Sequence, residues 1–214
     1  RRLSPLSDFL AGWNLGPADE NAVIDSIIDN VAFRFTGTIP SVGGNGHYSS
    51  TGRAGEFDIE IRNSRDHADP WLEPNVSRVV VGGTAAELGI GGIYGIAQSI
   101  DIGNFDTTET GVVLLDLLST PAVAAPGVAL SVNQIPISGE KTKIDLIGEI
   151  VGNIVAHEAG HYLGNWHQQN SPYFTMSTGL GVEQDAAVGP DGVYGSPDDV
   201  ARVTFGDGRY DPTA

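Results

Sequence analysis

The sequence predicts a mixed α/β domain of helices and short strands. Two segments, at 19–35 and 141–163, repeat apolar residues at helical spacing. Between them lie alternating or β-branched runs bounded by glycines. The stretch 165–214, rich in Gly, Asp and Pro with little periodicity, predicts a small loop-dominated end. A chain of 214 residues with 40% hydrophobic content suits a single domain over 1–214, with an upper lobe at about 18–164 and a lower lobe at about 165–214.

In chain order, Arg1 to Pro17 reads as a loosely structured lead-in. Val23, Ile24, Ile27, Ile28 and Val31 predict a first helix over 19–35 that runs into a strand. The Gly/Ser-rich stretch from Ser41 to Gly55 predicts a loop. Glu56 to Arg62 alternates with period two, and Val76 to Val81 is a β-branched run ended by Gly82 and Gly83. Gly92 to Ile100 predicts a further strand. The nearly continuous apolar run Gly111 to Leu118 predicts a strand covered on both faces. Val128 to Ile137 holds room for one more short strand. Lys141 to Leu163 is the strongest helix. Its polar positions Lys141, Asp145, Glu149 and Asn153 recur every four residues, and isoleucines and valines cover the rest, so it is expected to be largely buried and to stop at Gly164.

Composition excludes several chemistries. The chain has no cysteine, which removes disulfides, thiolate nucleophiles and sulfur ligands. A net charge of −16 argues against a nucleic-acid partner and leaves carboxylates free for calcium. No run approaches the ~20 apolar residues of a membrane span, and no signal peptide is read in a chain that begins Arg1-Arg2-Leu3. With Met176 as the sole methionine, the expectation is a piece processed or excised from a longer product.

The end of the buried helix carries the chemistry. It reads His157-Glu158-Ala159-Gly160-His161-Tyr162-Leu163-Gly164-Asn165-Trp166-His167. His157 and His161 are one turn apart and project from one helix face, so both can reach one metal ion. Neutral imidazoles suit zinc, and three protein ligands leave a fourth position for water. Glu158 lies beside the first ligand and can take a proton from that water. Gly164 allows a sharp turn, which returns His167 as the third ligand. Arising by chance in a chain with five histidines and 29 glycines, this constellation has a probability on the order of 10⁻⁵.

His157 to His167 resembles the long zinc motif of the metzincin metallopeptidases, HExxHxxGxxH. Met176, nine residues after His167, resembles the methionine of that family's tight turn beneath the zinc, at an interval closest to the matrixin branch. The resemblance implies a zincin-like fold: a twisted, mixed sheet with one antiparallel edge strand, an active-site helix and a small lobe after the glycine. It implies a secreted, monomeric zinc endopeptidase with Glu158 as general base, and a peptide substrate lying along an edge strand, for which Gly92 to Ile100 is the candidate. The sequence departs from the family after Met176. Ser177-Thr178 replaces the matrixin proline, and Thr178 stands where astacins and serralysins carry a tyrosine, so no residue is assigned by motif to the oxyanion.

Weaker constellations remain. Asp191, Asp198 and Asp199 gather carboxylates around glycines and suit calcium, or else form an acidic turn or the capped start of a short helix at Ser196-Pro197. Asp101, Asp106 and Glu109 form a second acidic loop, where matrixins bind structural calcium; a solvated loop is the competing reading. His47 and His67 read as surface histidines, and Trp13, Trp71 and Trp166 as packing residues, Trp166 helping to hold His167. The rival to an endopeptidase is a catalytically inactive zinc-binding recognition or adhesin domain, against which the intact Glu158 argues. A non-peptidase zinc amidohydrolase, and a latent form with 1–17 in the cleft, are further alternatives.

Overall fold

The computed structural model describes residues 2–36, 38–39, 43–44, 59–70, 73–101, 105–121, 131–167, 175–177 and 181–200. Among them are four α-helices: α1 (Glu20–Thr36), α2 (Ala85–Leu88), α3 (Lys143–Tyr162) and α4 (Val182–Asp185). The strands are β1 (Thr38–Ile39), β2 (Gly43–Gly44), β3 (Arg78–Val81), β4 (Gly95–Ala97) and β5 (Thr110–Val113). β1 and β2 form an antiparallel pair. The other three form a mixed sheet of order β3-β5-β4, in which β3 runs parallel to β5 and β4 antiparallel to it. The mixed α/β class is as the periodicities predict, with a sheet that among the described residues is smaller than the run of strand signals suggests.

α3 forms for reasons visible in its sequence. Thr142 caps its first turn: its hydroxyl accepts from the Asp145 amide at 3.1 Å, and the Asp145 carboxylate accepts from the Thr142 amide at 2.8 Å. Leu146, Ile147, Ile150 and Val151 are wholly buried. α1 packs directly against this helix. The approach is close because two glycines lie one turn apart: an added Cβ would lie 2.7 Å from the Ser26 Cβ at Gly148, and 2.7 Å from the Asn30 Cβ at Gly152. The polar positions of α3 do not form one solvated stripe. Glu149 and Asn153 are buried, Glu149 against Arg34 of α1 and Asn153 against Asp185 of α4. Buried polar groups need partners, and the neighbouring helices supply them.

Several expectations change. Residues 2–19 are not a loose lead-in. They form short 3-10 turns whose Leu6, Phe9, Leu10 and Trp13 join the core, with the Trp13 indole donating to the Leu118 carbonyl at 2.8 Å. The Ser4 amide and hydroxyl donate to Glu87, and Pro5 bridges to Gly82. This segment therefore belongs to the fold rather than to a cleft, because its four large apolar side chains gain more from the core than from water. α1 extends through Thr36, and strand β1 follows at Thr38–Ile39, as the expectation of a helix running into a strand has it. Residues 59–62 form no strand. Residues 56–58 of the expected strand lie outside the described residues; Glu60 and Arg62 pair on one side while Ile61 packs towards the core, and among the described residues no ladder partner is supplied. The apolar run 111–118 is strand only as far as Val113, and beyond it Leu114, Leu115 and Leu118 are fully buried in a turn. Val132–Gln134 is a 3-10 turn capped by Ser131 in place of the strand expected over 128–137, whose first three residues lie outside the described ones. Val182, Ala186, Val188 and Tyr194 share the same core as α3, so the described part of 165–214 packs on the main body. Most of the predicted loop 41–55 lies outside the described residues. Among the described residues no helix is long and apolar enough to cross a membrane.

Candidate metal centre

α3 delivers the first two histidines and its end delivers the third. Leu163 closes the helix, and Gly164 follows at φ 82°, a conformation glycine adopts without strain. Its amide donates to the His161 carbonyl at 2.9 Å. The reversal buries Asn165, whose amide and side-chain nitrogen both donate to the Gly160 carbonyl, at 3.1 and 2.9 Å. His167 then returns over the helix end. The ligand atoms of His157, His161 and His167 all lie within 4.8 Å of one another, with ring centroids 4.9–5.1 Å apart. Among the described residues this is the one group of three or more His, Asp or Glu able to hold an ion.

The tautomers of two ligands are set by backbone carbonyls. His157 Nδ1–H donates to the Thr175 carbonyl at 2.8 Å, and His161 Nδ1–H donates to the Asn165 carbonyl at 2.7 Å. Each Nε2 keeps its lone pair for a metal. Burial lowers the His157 pKa to about 3, helped by the neighbouring His161 ring, and lowers that of His161 to about 4. Burial shifts His167 in the same direction. Neutral imidazoles held close together, two of them with the far nitrogen committed as a donor, fit a divalent metal ion. Thr175 and the fully buried Met176 sit in one turn, and Met176 packs with Ala156, Phe35 and Leu163. The carbonyl of its neighbour Thr175 orients the His157 ring.

Glu158 is buried and faces β4. Its carboxylate accepts the Ala97 amide, and an added Cβ at Gly95 would lie 2.9 Å from both Glu158 Cγ and Cδ. Burial pushes its pKa up to about 8, against the pull of the Ala97 amide. In the antiparallel ladder Ile96 pairs with Val112 and the Tyr94 carbonyl accepts from Leu114. Gly95 and Ala97 therefore turn their backbone groups to the open edge, on the side of Glu158. The loop after β4 is tied to the same place, since the Asp101 amide donates to the His161 carbonyl at 3.0 Å.

The other sequence candidates are placed differently. Asp191, Asp198 and Asp199 organise their own loop: the Val193 amide donates to Asp191, the Asp191 amide to Asp198, and the Gly195 amide to Asp199. Asp106 accepts the Thr108 amide and hydroxyl, while Glu109 is buried and bonded to Ser99. His67 is exposed and remote in role, its ring beside the Asn63 carbonyl. His47, Trp71 and Thr178 lie outside the described residues. Trp166 is 40% exposed. Sequence reasoning missed Thr175 and Asn165 as orienting groups, because they act through carbonyls that every residue has. It also missed Gly95, which only its neighbours in space reveal. No family model, curated protein or solved structure matches the chain.

Proposed function

We propose that the chain is a secreted zinc-dependent endopeptidase of metzincin type. The observation that carries this reading is the convergence of His157, His161 and His167 beside a buried Glu158 that faces the open edge of β4. A zinc ion bound by the three imidazoles would supply Lewis-acid polarisation of the scissile carbonyl and a water of lowered pKa. Glu158 accepts the proton of the attacking water at its carboxylate and passes it to the leaving amine. Its burial excludes bulk water and keeps the group basic enough to hold a proton between the two steps. Gly95 and the Ala97 carbonyl offer backbone groups to an extended peptide, which would add to β4 as a further strand, while the Ala97 N–H is held by Glu158. Thr175 and Asn165 hold two imidazoles in the orientation that an ion requires. The extracellular location comes with the family resemblance.

The test is cleavage of a peptide library by zinc-loaded protein against Glu158→Ala. Internal cleavage that disappears in the variant, with zinc still bound at one equivalent, is the expected result. Zinc binding without cleavage in the unmutated protein would favour the recognition-domain alternative.

A further inference from the structure

Tyr162 follows a histidine of the metal centre, yet nothing in the proposed chemistry uses it. It is 4% exposed and is the last residue of α3, one turn after Glu158, so the two side chains leave the same helix face. Both meet the sheet at a glycine. Glu158 lies against Gly95 of β4. Tyr162 lies against Gly111 of β5, where an added Cβ would overlap the phenolic hydroxyl and come 3.1 Å from the Ile96 carbonyl oxygen. The hydroxyl donates to the carbonyl of Arg78, the first residue of β3, at 2.9 Å. A buried hydroxyl needs a partner, and this one finds it on the strand farthest from Glu158.

The two contacts share one rung of the sheet. Gly111 pairs with Val79 of β3 on one side and with Ala97 of β4 on the other. Ala97 supplies the amide that the Glu158 carboxylate accepts. The last turn of α3 is therefore tied to the sheet at two points, the carboxylate at β4 and the phenol at β3. A helix end tied at one point can turn or slide about it. A second tie across the sheet removes that freedom, and a glycine at each contact lets the helix approach closely enough to make both.

We propose that Tyr162 is a positioning residue: its hydroxyl, anchored on β3, fixes the last turn of α3 against the sheet and so sets where the Glu158 carboxylate stands on β4. Its effect on peptide cleavage rests on the peptidase reading; its effect on the contact between Glu158 and Ala97 does not.

Tyr162→Phe keeps the ring and removes the bond. Two readouts are taken with one equivalent of zinc present. Amide hydrogen exchange is compared at Ala97, which Glu158 holds, and at Leu115, whose amide donates to the Gly83 carbonyl. Exchange at Ala97 should rise about fivefold, the factor that the net worth of one hydrogen bond supplies, with Leu115 unchanged. A merely structural role would move both amides together. In peptide cleavage kcat should fall about tenfold with KM unchanged, short of the roughly hundredfold cost of a misplacement of about 1 Å. In the Glu158→Gln background the same substitution should change the residual rate by less than about twofold, since a group that acts through the carboxylate loses its effect once the base is gone. Unchanged exchange at Ala97, an equal rise at both amides, or the same tenfold loss in the Glu158→Gln background overturns the proposal. If the unmutated protein cleaves no peptide, the peptidase reading falls and exchange at Ala97 decides the positioning role. Cleavage with kcat unchanged in Tyr162→Phe keeps the peptidase reading and overturns the positioning role.

Discussion

α3 carries two buried glutamates in contrasting company. Glu149 (5% exposed) meets the Arg34 guanidinium, itself wholly buried on α1. Among the described residues, Glu158 (6% exposed) forms no ion pair; it accepts the Ala97 amide and lies against the backbone of β4. Burying an unpaired charge is expensive, so a fold tolerates it where the strain is useful. The first glutamate has its partner within the chain. In the proposed function, the second takes as its partners a divalent cation and a substrate. Equal burial thus separates a structural carboxylate from a functional one only when the partners are counted.

The largest effect that follows is kinetic. Glu158→Ala should lower kcat by about 10²–10⁴, the range of general acid–base catalysis, while zinc content stays at one equivalent by elemental analysis. The same substitution probes stability against pH in the metal-free protein. The folded pKa of Glu158 is raised to about 8 from 4.5, so between these values the folded state holds a proton that the unfolded state has released. Stability contributed by the protonated group is complete below about pH 4.5 and is lost as pH rises through about 8. The histidines act oppositely. With His157 and His161 lowered to about 3 and 4 from 6.5, stability falls as pH drops below 6.5. Urea midpoints of the metal-free protein should therefore decline on both sides of a maximum between about pH 5 and 7, and Glu158→Gln should flatten the alkaline side and steepen the acid side.

Breaking the other glutamate's pair should act on stability and not on chemistry. Arg34→Ala leaves Glu149 buried without a cation and should destabilise by about 3–5 kcal/mol in urea unfolding. Arg34→Met combined with Glu149→Leu should recover most of that loss, as expected when a buried pair is replaced by apolar residues.

How far this contrast was legible in the sequence follows from its physics. The helix, its stop at Gly164 and the three histidines are local, because spacing along one helix and one turn fixes them. The antiparallel strand at 95–97 also fell within the segment 92–100 expected to form the sheet edge. The partners of Glu149 and Asn153 were hidden, since Arg34 and Asp185 lie far away in sequence and the four-residue spacing of polar positions reads equally as a solvated face. The N-terminal segment was misread for a related reason. Its apolar residues follow 3-10 turns, whose irregular spacing resembles neither periodicity.

Two smaller effects sharpen the comparison. Gly95→Ala would press a methyl group onto the Glu158 side chain and should lower kcat by about tenfold to a hundredfold, the scale of small misplacements of a catalytic group. Steady-state kinetics on zinc-loaded variant checks this, and unchanged kcat would show that β4 does not constrain the carboxylate. Met176→Leu, at a wholly buried site, conserves volume and should destabilise by less than about 1.5 kcal/mol with zinc affinity intact.

The central claim is that His157, His161 and His167 share one ion. X-ray absorption at the zinc edge, on protein carrying one equivalent of zinc, measures this directly. The account predicts three imidazole nitrogens at about 2.0–2.1 Å, falling to two in His167→Ala. A zinc environment with fewer imidazoles, or one that does not change in that variant, would contradict it.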